Sequence, residues 1–456
     1  MADTGALLPQ THARPLQERM ELGRTLRENC RRATHADWTA PASRRDPIDI
    51  LIEQGKTRLP ELLPLRYSRM KASPFAFLRG SAGVMALDLA TTPSNGLLVV
   101  AAGDCHCVNF GGFATPERRL SFDINDFDET AIAPWEWDVK RLAASFAVAT
   151  AGEFDKATRV SLAETVAAGY REKMAEIAQA PILETWYLTL ALGDGRTAES
   201  IGLDPGLVRK ADHQLKHRPT LITIDQSGGS EPKLKDKLPD LYHPADFAEF
   251  RSGVEAMLEQ YRQSLIPERR VLIDRYRFAD AAYKVVGVGS VGTLCGVALM
   301  VSGDGETLQL QFKEAAASVL EAFGRTIPYT NHGERVVRGQ RLLQAASDIL
   351  LGFGVGPRGK DFYVRQLRDA KIKPVLDDLP ARNFLRYART CGEVLARAHA
   401  RSADAVVMSA YLGKSNTFDQ AIGQFAMAYA KQTEADHAAL LAAIKAGRLP
   451  AAAEDS

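Results

Sequence analysis

Along this chain, short apolar runs that stop at glycine or at acidic residues alternate with long alanine-rich stretches whose apolar residues recur at helical spacing. The run LLVVAA, from Leu97 to Ala102, ends at Gly103, and LSFDI from Leu120 ends in the cluster Asn125, Asp126, Phe127, Asp128. Both predict short strands that deliver polar residues at their ends. Residues 138–265 carry helical spacing, interrupted by the polar loop QSGGSEPKLKDKLPD, and predict a helical lobe. The character then changes: YKVVGVGSVGTLCGVALMVSGDGETLQLQFKEA alternates β-branched and apolar residues between glycine turns, which predicts a small antiparallel sheet. A helix is expected over Glu334–Leu351, a strand at DFYVRQL from Asp361, and helices again from Asn383 to Ala446. Residues 1–45, polar and arginine-rich, predict a loosely attached arm or a first helix.

With 456 residues, 46% of them hydrophobic, the chain can bury one large core or two lobes. Lys plus Arg (57) balance Asp plus Glu (56) to a formal charge of +1, which excludes a general attraction to nucleic acid or an anionic membrane. No run reaches the roughly 18 apolar residues a bilayer span needs. The first residues lack a basic segment followed by an apolar one, so the expected location is cytoplasmic. Five cysteines, two of them (Cys105 and Cys107) one residue apart, do not form a disulfide framework and fit a reducing compartment.

The chemistry concentrates in GDCHCVNFG, Gly103–Gly111, and FDINDFDET from Phe122. Phosphoryl transfer needs a carboxylate beside the attacking hydroxyl, with an amide oxygen and a second carboxylate to hold magnesium on the nucleotide phosphates. Asp104, Asn109 and Asp126 have those groups, with Asp123 close by, and a hairpin of the two strands would gather them. An Asp and an Asn in a glycine-flanked loop also serve simply to cap turns. Zinc is a poor fit. Cys105, His106 and Cys107 are too closely spaced for paired ligands, and His213 and His217 lie about a hundred residues away on a polar helix surface.

These motifs resemble the aminoglycoside and choline phosphotransferase branch of the kinase-like superfamily, whose catalytic loop reads HGDxHxxN and whose metal loop reads IDxxD. Asp104, His106 and Asn109 match the first and FDIND the second, while PWEWDVKRLA, with Asp138, is similar to the DPxxDLA segment. The resemblance implies Asp104 as catalytic base, Asn109 with Asp123 and Asp126 as magnesium ligands, and His106, Asp128 and Asp138 in support. Ala102 stands where that family carries a loop-supporting His.

Gly287, Gly289 and Gly292, with Ser290 between them, form GxGxxG, a pattern used by dinucleotide folds, kinases and plain hairpins. Here it is followed by a second strand, not by a helix, which is how a kinase loop covers the phosphates. The next strand should then carry a lysine, and LQLQFKEA supplies Lys313, expected as the second catalytic residue. Glu321 and Glu334 are the candidates to hold it; Glu334 opens the better helical pattern. Main-chain groups near Arg365–Leu367 would meet an adenine.

CGEVLARAHARS, Cys391–Ser402, is similar to the helix that precedes the catalytic loop in phosphotransferases, yet here that loop lies at the other end of the chain. The expected fold is therefore α+β, a two-lobed protein-kinase-like fold, circularly permuted. It would comprise an arm (1–45), a large lobe with the catalytic and metal loops (46–280), a small β-rich nucleotide lobe (281–370) and C-terminal helices completing the large lobe (371–456). Such reordering is permitted when packed elements keep their partners. From RMKASPFAFLRGSA through FAMAYAKQTEADH the chain also resembles a large bacterial family, domain of unknown function 2252, which brings no substrate. Arg66, Arg69 and Arg79 suit either an anionic substrate or surface ion pairs. The expected activity is ATP- and Mg2+-dependent phosphoryl transfer to a small-molecule or protein hydroxyl. The alternatives are AMP transfer in the same cleft, or nucleotide-binding regulation without turnover.

Overall fold

The computed structural model describes residues 11–451 apart from 194, 218–221, 226–230, 286, 288, 290, 324–328, 368–369 and 377–378. It is a mixed α+β structure, 52% helical and 15% strand. Strands β1 (Leu98–Ala101), β2 (Phe110–Ala114), β3 (Leu120–Ile124) and β4 (Ala131–Pro134) precede the first long buried helix, Trp135–Ala149. Short strands β5 (Leu190–Ala191), β6 (Ile224–Asp225), β7 (Lys233–Leu234) and β8 (Leu241–Tyr242) follow. Then come β9 (Tyr276–Lys284), β10 (Cys295–Ser302), β11 (Thr307–Glu314), β12 (Gly352–Val355) and β13 (Asp361–Gln366). One antiparallel sheet has the order β12-β13-β11-β10-β9-β8; β1 pairs with β4, and β2-β3-β5 form a third sheet.

Both strands expected ahead of the acidic motifs are present as β1 and β3, but they do not pair with each other. The hairpin partner of β3 is β2, in the register Phe110↔Ile124 and Gly111↔Asp123. The segment FGGFA reads poorly as a strand because of its two glycines. Those glycines let a second chain segment approach, with Gly112 N donating to Ile372 O at 2.9 Å.

β10, CGVALMVS, is buried on both faces, as its unbroken apolar run requires. The small sheet packs on the helix Phe247–Ser264, through Phe250, Val254, Met257 and Tyr261 against Leu310, Phe312, Phe362 and Val364. Sequence spacing had assigned this helix to the large helical lobe. Its amphipathic face is satisfied by the sheet, so the sheet's core starts well before residue 281. The helix expected over Glu334–Leu351 runs from His332 to Leu343, with Asn331 Oδ1 capping Gly333 N and Glu334 N at 2.6 and 3.2 Å. It stops where Ala345 N leaves the helical ladder to donate to Asp123 Oδ2 at 2.7 Å.

The larger core gathers the helices Trp135–Ala149, Lys156–Ile177, Ala381–Ala400 and Thr417–Lys445. Within the N-terminal region, the helix Leu16–Asn29 is docked: Arg19 pairs with the buried Asp404 at 2.6 Å, and Arg44 bridges Asp88 and Asp436 at 2.7 and 2.6 Å. Among the described residues no helix is long and apolar enough to cross a membrane.

His35 wedges edge-on against Trp135, at the start of the helix that carries Asp138, and its Nε2 meets Tyr411 Oη at 2.7 Å. Burial, with the Lys140 charge adding to it, pushes His35 down to about 3. The folded value lies below the unfolded one of about 6.5, so the unfolded chain takes up the proton first. The contribution is complete above about pH 6.5 and is lost as pH falls toward 3. Urea unfolding at pH 7 and 4.5 should therefore show the stability gap between wild type and His35→Gln shrinking by about 3 kcal/mol. A gap independent of pH contradicts this.

Candidate functional site

The GDCHCVNFG segment follows β1 through Gly103, whose φ of +84° and closeness to Glu129 O exclude a side chain. Asp138, on the next helix, accepts from Ala102 N at 2.6 Å and Gly103 N at 3.0 Å, and from His399 Nε2 at 3.1 Å. His399 Nδ1 in turn lies 2.9 Å from Tyr170 Oη. The support left open by Ala102 is thus supplied from the helix Ala381–Ala400. Further along, Ser145 Oγ accepts from Cys107 N at 2.9 Å and Tyr387 Oη donates to Cys107 O at 2.6 Å. Cys105 and Cys107 pack in the core; burial pushes Cys107 up to about 12 and Cys105 well above the usual thiol range, so both are neutral thiols. His106 is buried as well, and burial lowers it to about 4.

Asp104 is anchored on one side. Arg141 donates from Nε to Asp104 Oδ1 at 2.8 Å and also from Nη2, which further reaches Leu78 O at 2.9 Å. Asp104 Oδ2 stands 3.9 Å from His106 Nε2. Asn109 Nδ2 donates to Asp104 O at 2.7 Å, and Asn125 N to Asn109 O at 2.8 Å, which brings Asp126 alongside. One cleft of about 210 Å³ is lined by Asp104, Asn109, Asp126 and Asp128 together with Gly287 and Gly289.

Asp123 is not in that lining. Last but one in β3, it turns its carboxylate inward, accepting from Arg397 at 2.5 Å and Ala345 N at 2.7 Å. Of the expected Asp123/Asp126 pair, only Asp126 faces the cleft. Burial raises Asp126, but the Lys313 charge, followed by that of Arg365, outweighs it and brings the carboxyl down to about 2. Asp128 is shifted upward by burial and by Asp126.

Lys313, near the end of β11, is buried and pairs with Asp128 Oδ2, while Tyr363 Oη donates to Asp128 Oδ1 at 2.9 Å. Against burial, Asp126 and Asp128 push Lys313 well above its usual range. The acidic partner expected on the following helix does not reach it: Glu334 pairs with Arg338 one turn on, at 2.5 Å. Glu321 stands 3.2 Å from Arg335. The inward face of that helix carries Arg335 in place of a glutamate, and Arg335 donates to Asp128 O, Thr130 O and Ala316 O at 2.8, 2.6 and 2.6 Å. The helix therefore fixes the acidic loop's backbone, and the loop's own aspartate holds the lysine.

Gly287 (φ +71°) and Gly292 (φ +92°) shape the turn between β9 and β10; Ser290 lies outside the described residues. Arg69 does not line the cleft but donates to Gly287 O at 2.5 Å, whereas Arg66 and Arg79 do line it. Near the expected adenine contact, Gln366 N is engaged by Asp348 Oδ2 at 2.5 Å and Leu367 N by Gln309 O at 2.9 Å. His213 is exposed on its helix.

Residues 58–443 match a family described as an uncharacterized protein conserved in bacteria, DUF2252. The chain belongs to that family. No curated protein and no solved structure matches it. The DUF2252 span takes in Asp104, Asn109, Asp126, Lys313 and the glycine loop.

Sequence reasoning missed Arg141, although its spacing of three from Asp138 puts both on the helix face turned to the loop. It also missed Tyr363, Arg335 and His399, whose partners lie more than two hundred residues away. Among the described residues no three His, Cys, Asp or Glu side chains gather as a metal site. Magnesium is commonly held by only one or two carboxylates plus phosphates and water. The ionised Asp126 and the amide oxygen of Asn109 are hard donors of that kind, and they fit.

If Asp128 and not Glu334 holds Lys313, removing each should have unequal cost. Asp128→Ala should lower stability by about 3 kcal/mol, leaving a buried cation short of its partner. Glu334→Gln should cost under about 1 kcal/mol, as for a partly exposed helix pair. Urea denaturation of both variants tests this, and the reverse order contradicts it.

Proposed function

We propose that this cleft binds ATP with Mg2+ and transfers the γ-phosphoryl group to a hydroxyl, on a circularly permuted kinase-like framework. The observation that carries this reading is that Gly287 and Gly289 of the small sheet line the same cleft as Asp104, Asn109 and Asp126, although roughly 160 or more residues separate them in the chain. Three further features support it. The glycine loop joins the first two strands of the β9-β10-β11 meander, the lysine stands on the third and a helix follows, the order of parts in a kinase small lobe. The helix Ala381–Ala400 abuts the loop it would precede in an unpermuted chain: Tyr387 Oη donates to Cys107 O at 2.6 Å, and His399 meets Asp138, which accepts from Gly103 N. Finally, the donor set suits magnesium on phosphate oxygens.

In this reading the small lobe runs from the helix Phe247–Ser264 to about residue 370, with the large lobe split to either side. Asp104 Oδ1 is pinned by Arg141, so Oδ2 accepts the proton of the attacking hydroxyl. The acceptor oxygen bonds to the γ-phosphorus as the bond from that phosphorus to the β–γ bridging oxygen breaks, leaving ADP. Bound magnesium would neutralise charge on the phosphates; Asp126 and Asn109 would hold it. Lys313 supplies fixed positive charge and orients Asp128.

Asp104→Asn should keep binding of a non-hydrolysable ATP analogue with Mg2+ while losing at least about 100-fold in ATP consumption. Calorimetry and product mass spectrometry measure the two. A product gain of about 80 daltons marks phosphoryl transfer and about 330 daltons marks AMP transfer. Unchanged turnover in Asp104→Asn, or no nucleotide binding by wild type, rejects the proposal.

A further inference from the structure

Three arginines face the cleft without an ion-pair partner among the described residues: Arg58, Arg66 and Arg79. Arg66 is 1% exposed, and only one of its nitrogens is engaged, Nη2 donating to Gly80 O at 2.7 Å. Its Nε and Nη1 are buried with no acceptor, and so is Arg79 Nε. Burial and the neighbouring Arg58 push Arg66 down to about 9, which still leaves it cationic at neutral pH. A buried guanidinium with two unanswered N–H groups is costly. An anion entering the cleft would remove that cost.

Neither Glu129 nor Glu314, the acids whose charge Arg58 feels most, forms an ion pair with these arginines among the described residues. Glu129 Oε2 accepts from Val319 N at 2.8 Å, and Glu314 accepts from Leu294 N at 2.9 Å and lies 3.2 Å from Lys360. The arginines are also fixed in place. Arg58 Nη1 donates to Val291 O at 2.7 Å, tying it to the glycine loop, and Arg79 stacks 5.9 Å over Phe75. Arg79 belongs to the helix Pro74–Gly80, and Arg141 joins that helix, at Leu78 O, to Asp104. Arg79 is thereby attached to the segment that holds Asp104, and Arg58 to the glycine loop of the same cleft.

We propose that Arg58, Arg66 and Arg79 form an oxyanion subsite for the second substrate, so that the hydroxyl compound phosphorylated here carries a phosphate or carboxylate group. The inference rests on the phosphotransferase reading for the word substrate and on the arginines alone for the anion. A cationic acceptor would meet three unpaired guanidinium groups at the same wall. Forked guanidinium donors match phosphate and carboxylate oxygens in geometry as well as charge.

The test is calorimetric titration of inorganic phosphate into the full chain already saturated with Mg2+ and a non-hydrolysable ATP analogue, with choline as the cationic probe. Phosphate should bind and choline should not. Arg58→Gln and Arg79→Gln should each weaken phosphate about tenfold, and Arg66→Gln at least as much if its circular dichroism remains native. The two less buried variants keep the test open should Arg66→Gln not fold. No phosphate binding, or binding unchanged in both Arg58→Gln and Arg79→Gln, overturns the subsite. Competition between phosphate and the nucleotide assigns the arginines to the nucleotide, which overturns the acceptor assignment and leaves the transfer reading intact. Arginine-dependent phosphate binding without any nucleotide binding upholds the anion subsite and removes the transfer reading.

Discussion

A lysine ammonium buried in the small sheet has to find its countercharge, and it finds it on a carboxylate that lines the cleft. Lys313 on β11 is held by Asp128, which belongs to the acidic loop after β3 and takes a second hydrogen bond from Tyr363 on β13. Taking either charge out of water alone would cost several kcal/mol, so the sheet and the loop are obliged to meet. Everything else at the site follows from that closure. Asp126 is held ionised beside Lys313, the glycine turn lines one cleft with Asp104 and Asn109, and Arg335 secures the loop's backbone from the helix behind.

The loop that carries Asp104 comes early, and the helix Ala381–Ala400 that braces it comes late, yet Tyr387 and Arg397, with Ser402 just beyond the helix, reach the early strands and loops. Packing is indifferent to which covalent connections join the packed pieces. The bracing contacts are buried and charged or hydrogen-bonded, so they fix position, and position is what the proposed phosphoryl transfer needs most.

What could be read from residues alone was whatever local pattern encodes. β1, β3, β13 and the small antiparallel sheet stand where apolar patterning put them, and Lys313 stands on the second strand after the glycine turn. The mixed α+β class followed from the same patterns. Long-range choices were not legible. β2 was hidden by its paired glycines, whose purpose is the approach of Ile372, a distant segment. Glu334 fitted a rule about helices after lysine strands, but Arg335, its neighbour, faces inward, and the acid came from a loop. Asp123 and Asp126 are equivalent by type and motif; only the pairing register of β3 turns the first toward Arg397 and leaves the second at the cleft.

The most direct measurement is an experimental structure of the full chain with a non-hydrolysable ATP analogue and Mg2+. The account predicts the triphosphate between the Gly287–Gly289 turn and Asp126, with the metal on Asp126 and Asn109 and the terminal phosphorus facing Asp104. A nucleotide bound elsewhere, or a cleft that stays empty at saturating concentration, would contradict it.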